Sequence, residues 1–111
     1  MLEPAADAVR VEELVAYVMA YFEGKGFGAH ADTFRKRLPG GAVKYYLVKV
    51  SLTTGFDELE GLKVYPVVTH EDVDWVKEKA SLLGYELTGF AVELIDCHEL
   101  ELRLYLREAK A

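Results

Sequence analysis

From Glu99 to Arg107 the chain reads Glu-Leu-Glu-Leu-Arg-Leu-Tyr-Leu-Arg, so every second residue is leucine. Side chains alternate between the two faces of a strand, which puts Leu100, Leu102, Leu104 and Leu106 on one side. Glu99, Glu101, Arg103, Tyr105 and Arg107 fall on the other. Helix propensity in this stretch is high, but the period of two is the stronger signal. A strand that is apolar on one face belongs to a sheet that other elements must cover on that face.

Two segments have the pattern of that cover. Val11, Leu14, Val15, Val18 and Phe22 recur at helical spacing and predict a helix from about Asp7 to Glu23, stopped by Gly24 and Gly26. Its second face carries Ala16, Tyr17, Ala20 and Tyr21 with Glu13, too apolar for a solvated surface. Such a helix is buried on two sides, within the domain or against another subunit. A second helix is predicted from Glu71 to Leu83, with Val73, Val76, Ala80 and Leu83 inward and Trp75 and Leu82 widening that face. Thr69 and Asp72 have capping-box spacing, and Gly84 supplies the stop.

The remaining segments read as strands. Ala42 to Leu52 alternates, with Tyr46, Val48, Val50 and Leu52 on one face and Val43, Tyr45 and Leu47 on the other. Residues 53–61 read as a loop, and Leu62 to Thr69 as a strand with Pro66 at an edge or bulge. Glu86 to Ile95, with Leu87, Phe90, Val92 and Leu94, reads as a strand buried on both sides. Phe27 to Leu38 reads as an edge strand, in preference to a helical turn capped by Asp32 or Thr33, and turns at Pro39-Gly40-Gly41. The order α-(β)-β-β-α-β-β suggests two α-β-β halves, each with Gly-aromatic after its helix (Gly26-Phe27 and Gly84-Tyr85). The fold class expected is α+β: a mostly antiparallel sheet of four to five strands with both helices on one face, forming a single domain over residues 1–111.

Asp and Glu number 19 against 13 Lys and Arg, a net charge of −6 that opposes non-specific attraction to phosphate backbones or anionic lipid. No apolar run approaches the ~20 residues of a membrane span, and the first residues lack a basic and apolar leader, so a cytoplasmic protein is expected. The one cysteine, Cys97, is expected as a buried thiol, a reactive thiol or half of an intersubunit bridge. Asn and Gln are absent, the composition expected of a thermophilic source.

Signals for chemistry are weak. Lys25-Gly26-Phe27-Gly28-Ala29-His30, followed by Arg35, Lys36 and Arg37 and then Lys44, offers glycine-flanked cations and aromatic rings for an anion or nucleic acid. The stretch follows a helix and matches neither a P-loop nor a dinucleotide fingerprint, so exposed cations on an edge strand explain it as well. The element order is similar to the restriction-endonuclease-like fold, which implies an acid at Asp32 and an acid-x-Lys ending at Lys49. Position 47 is leucine, so the second acid is missing. His30, His70 and His98 lack metal-site spacing, the acid clusters Asp57-Glu58-Glu60 and Glu71-Asp72-Asp74 do not make a calcium loop, and no metal or cofactor is expected.

Seven tyrosines, several on strands, together with the two-faced first helix point to association. The function expected is a non-enzymatic, self-associating protein-interaction module, with Tyr17, Ala20 and Tyr21 at a homodimer interface. The alternative is a nucleic-acid-binding accessory domain using the segment from Lys25 to Lys44.

Overall fold

The computed structural model describes residues 2–4, 9–36, 44–54, 57–59, 62–64, 67–96 and 98–109, with only the backbone at 2–4, 9, 57–59 and 62–64. Arg37, the Pro39-Gly40-Gly41 turn, Val43, Pro66 and Cys97 lie outside the described residues. In chain order the elements are β1 (Leu2–Pro4), α1 (Val9–Gly24), β2 (Phe27–Lys36), β3 (Tyr45–Thr54), β4 (Asp57–Leu59), β5 (Leu62–Val64), α2 (His70–Leu82), β6 (Tyr85–Asp96) and β7 (Glu99–Glu108). The fold is α+β. Five strands form one antiparallel sheet in the order β1-β2-β3-β7-β6, while β4 and β5 pair separately as a short hairpin.

The leucine alternation sets the buried face. Leu102, Leu104 and Leu106 of β7 lie opposite Val50, Val48 and Tyr46 of β3, and all six are buried. The apolar stripe of α1 (Val11, Leu14, Val15, Val18 and Phe22) joins the same cluster, as do Val76 and Ala80 of α2. Both helices therefore cover one face. Each ends at a glycine whose positive φ, 103° at Gly26 and 89° at Gly84, turns the chain into the next strand.

The two α-β-β halves are α1-β2-β3 and α2-β6-β7, related by an approximate two-fold. Phe27 and Tyr85, each following such a glycine, open equivalent strands opposite Thr54 and Glu108. The axis therefore passes between Lys49 and Arg103, which face each other across β3 and β7.

Three expectations need correction. Residues 57–59 were expected in a loop and form β4; of the strand expected over 62–69, Leu62–Val64 forms β5 and residues 67–69 are not strand. Leu82 was expected on the core face but is 74% exposed, because the helix turns Leu83 inward instead. The far half of β6 was expected to be buried on both sides, yet Val92 is 48%, Leu94 69% and Ile95 48% exposed. Length explains the last difference. At 13 residues α2 spans about 20 Å, whereas the 12 residues of β6 span about 40 Å. The helix covers the half holding Tyr85, Leu87 and Phe90 and ends before the rest.

Candidate interaction site

Three places gather side chains that could act on another molecule: the junction of the two helices, a groove on the open face of the sheet, and the far half of β6. The first is a closed structural clamp. Asp72, 1% exposed, accepts hydrogen bonds from Tyr21 Oη at 2.6 Å, from Lys25 Nζ at 2.6 and 2.7 Å, and from the backbone N–H of Thr69 at 2.7 Å. Burial alone would raise its pKa, but the bonds from Lys25, Tyr21 and Thr69 outweigh that and hold the carboxyl below its ordinary range. The hydrogen bond to this carboxylate pushes the Tyr21 phenol up to about 12, with burial adding to the shift. Each carboxylate oxygen has two donors, so the site is satisfied from within.

Two residues of this clamp, Tyr21 and Lys25, were expected in contacts with other molecules. Tyr21 was placed at a dimer interface, but its ring stacks on Trp75 with centroids 4.1 Å apart and planes at 17°. Tyr17 also turns towards α2, where Lys79 Nζ lies 3.9 Å from its ring centroid, while Ala20 is exposed. Of the apolar second face of α1, Tyr21 is thus met by the chain's own second helix, while Ala16, Tyr17 and Ala20 stay exposed. Lys25 was expected to contact an anion or nucleic acid from another molecule; in the fold its ammonium pairs with Asp72 of the same chain. The sequence offered Thr69 and Asp72 as a capping pair, but the reach of Tyr21 and Lys25 to the same carboxylate has no local signature.

The other cations do not converge. Arg35 lies at the far end of β2 from Lys25, roughly 25 Å along the strand, and falls on the helix-covered face opposite Tyr46. Lys36 points to the open face, Lys44 is exposed just before β3, and Arg37 lies outside the described residues. Among the described residues the segment from Lys25 to Lys44 therefore forms no single basic patch. Asp32 stands opposite Lys49, whose ammonium lies 5.5 Å from the Phe34 ring centroid. No group of three metal-ligating side chains occurs among the described residues.

On the open face, Lys36, Tyr45, Leu47, Thr88 and Tyr105 line a groove of about 430 Å³. Two phenols, a lysine and a hydroxyl suit an aromatic or anionic group, but they supply no nucleophile–base pair. Beside the groove run ion pairs. Arg107 bonds Glu86, and Arg103 bonds both Glu93 and, at 3.1 Å, Glu101.

The far half of β6 differs from both. Among the described residues it is an edge of the sheet in the strand order, with no described strand on its outer side, and it exposes apolar side chains there. The other edge is treated differently, because β1 pairs with β2 at Phe34, Arg35 and Lys36. Seven residues beyond the first pair of each half, β2 has Phe34 opposite Leu47 and β6 has Glu93 opposite Glu101. A bulge at Thr88 absorbs the one-residue difference, and a second follows between Leu94 and Asp96. The stretch beginning at Glu93 therefore occupies the place that β1 caps in the first half.

No protein-family model, curated protein or solved structure matches this chain. No helix among the described residues is long and apolar enough to cross a membrane.

Proposed function

We propose that this chain is a non-enzymatic interaction module that self-associates through the far half of β6. The observation that carries this is the exposure of Val92 and Leu94 on an edge strand whose two-fold equivalent is capped by β1. An open edge is a template for strand addition, and exposed apolar side chains on one face give an added strand something to pack against. A second copy fits because a two-fold interface must be self-complementary. Antiparallel pairing of two β6 strands about Val92 sets Phe90 against Leu94 of the other copy. It also sets Ala91 against Glu93, so no two carboxylates stand opposite each other. This interface replaces the one expected on α1. The absence of Asn and Gln supports a heat-adapted source.

Sedimentation velocity over a range of concentrations tests the proposal. Wild type should pass from monomer to dimer, and Leu94→Lys should remain monomeric with an unchanged circular dichroism spectrum. A wild type that stays monomeric at the highest attainable concentration overturns it.

A further inference from the structure

We infer that the groove on the open face of the sheet binds a small aromatic carboxylate, with the ring over Leu47 between Tyr45 and Tyr105 and the carboxylate on Lys36. The groove lies beside the near half of β6 and self-association uses the far half, so either can fail without the other.

Register builds the groove. Phe34, Leu47, Tyr105 and Gly89 stand in one row across four strands, and Lys36, Tyr45, Arg107 and Glu86 stand in the next. Leu47 is only 8% exposed although it belongs to the face that the helices leave open, so it gives the groove an apolar floor. Tyr105 is one wall. Its ring lies against Gly89, where an added Cβ would come within 3.2 Å of Cδ2. Thr88, at the bulge, ties this wall down by donating from Oγ1 to the Tyr105 carbonyl at 3.1 Å. Tyr45 and Tyr105 are diagonal neighbours on adjacent strands, about 7–8 Å apart. That gap admits one flat ring in contact with both phenols at ~3.5–4 Å on each side.

Charge narrows the ligand class. Arg107 is neutralised by Glu86, and its guanidinium also meets the Tyr45 side chain. Lys36 is exposed and has no anionic partner among the described residues. One free ammonium matches a monoanion. A phosphate monoester carries roughly −1.5 to −2 at neutral pH, too much for a single cation on a chain of net charge −6. The volume of about 430 Å³ lies towards the lower end of small-molecule clefts, about 300–1,000 Å³, and suits one or two rings.

The approximate two-fold supplies an internal comparison. Counted back from Thr54 and Glu108, which hold equivalent places, Tyr45, Leu47 and Tyr105 correspond to Glu99, Glu101 and Ser51. The same backbone frame thus carries two carboxylates and a hydroxyl at one end of the sheet, and two phenols over a leucine at the other. The sheet does not require an aromatic groove there; the side chains specialise one end for a flat, anionic guest.

A titration of the full chain followed by amide chemical shifts, at constant ionic strength, tests this with three probes: benzoate, benzyl alcohol for the ring alone and acetate for the charge alone. Benzoate should saturate with a Kd on the order of 1 mM, shifting Leu47, Thr88 and Tyr105, and should bind about tenfold more tightly than either control. Lys36 is exposed, so Lys36→Met tests the site without burdening the fold, and it should lower benzoate affinity to that of benzyl alcohol. Tyr105→Ser, which installs the residue of the equivalent place, should weaken both ring-bearing probes. Lys49→Met, one row away, should leave all three unchanged. Benzyl alcohol as tight as benzoate would make the groove merely apolar, and acetate as tight as benzoate would make it a simple anion site; either overturns the proposal. So do shifts centred on Val92 and Leu94, or a Lys36→Met protein that binds benzoate like the wild type.

Discussion

Lys25 Nζ lies 2.7 Å from Asp72 Oδ1 and 2.6 Å from Oδ2, joining residues 47 positions apart at the meeting point of the two helices. The cation is partly exposed and the carboxylate is not, so the two are not equivalent to remove. Asp72→Ala leaves Lys25 a route to water but strips Tyr21 and Thr69 of their acceptor. A loss of about 3–5 kcal/mol is expected in urea denaturation, as for other broken buried pairs. Lys25→Met leaves Asp72 with two donors and should cost less, about 1–3 kcal/mol.

The same clamp gives stability a window in pH. The Asp72 pKa is lowered in the folded protein, so its contribution is present above the ordinary value of 3.8 and is lost as pH falls through the folded value. The phenol of Tyr21 is raised from 10.0 to about 12, so its contribution is present below 10 and is lost as pH rises towards 12. Thermal melts across pH should fall off on both sides. Tyr21→Phe should reduce the alkaline fall and keep the stack on Trp75, leaving the part due to Tyr85, whose phenol is also raised, chiefly by burial; an alkaline limb unchanged in that variant would refute the assignment.

Buried leucines and their charged neighbours on β7 should separate sharply. Leu102 and Leu104 are wholly buried, and Leu→Ala at either should cost about 2–5 kcal/mol. Arg103→Ala removes only partly exposed ion pairs and should leave the urea midpoint almost unchanged. Equal losses at 102 and 103 would contradict a sheet covered on one face.

Two glycines near helix ends should respond in opposite directions. Gly84 has a φ of 89°, and Gly84→Ala should cost about 1–2 kcal/mol. Gly24 ends α1 with nothing within 4 Å of an added Cβ, so Gly24→Ala should stabilise by about 0.5–1 kcal/mol. Differential scanning calorimetry resolves both.

Nucleic-acid binding is the reading that the geometry disfavours. Lys25 is held by Asp72, Arg35 lies at the other end of β2, and the net charge is −6. Fluorescence anisotropy with short duplex and single-stranded oligonucleotides should show no binding at physiological salt. Submicromolar binding lost on Arg35→Ala would reverse this conclusion.

What the sequence determined by itself is local and periodic. The leucine alternation in β7 and the helical stripe from Val11 to Phe22 identified the faces that became the core, because backbone geometry fixes which residues share a side. The Gly26-Phe27 and Gly84-Tyr85 repeats marked both helix ends, since a positive φ is a property of one residue. Tertiary structure decided the rest, because those choices depend on partners distant in the chain. Tyr21 and Lys25 look like surface groups until α2 brings Asp72 between them. Val92 and Leu94 share the apolar pattern of Leu87 and Phe90, and the sequence does not distinguish them. They are exposed because a helix rises about 1.5 Å per residue and a strand about 3.3 Å, so α2 ends before β6 does.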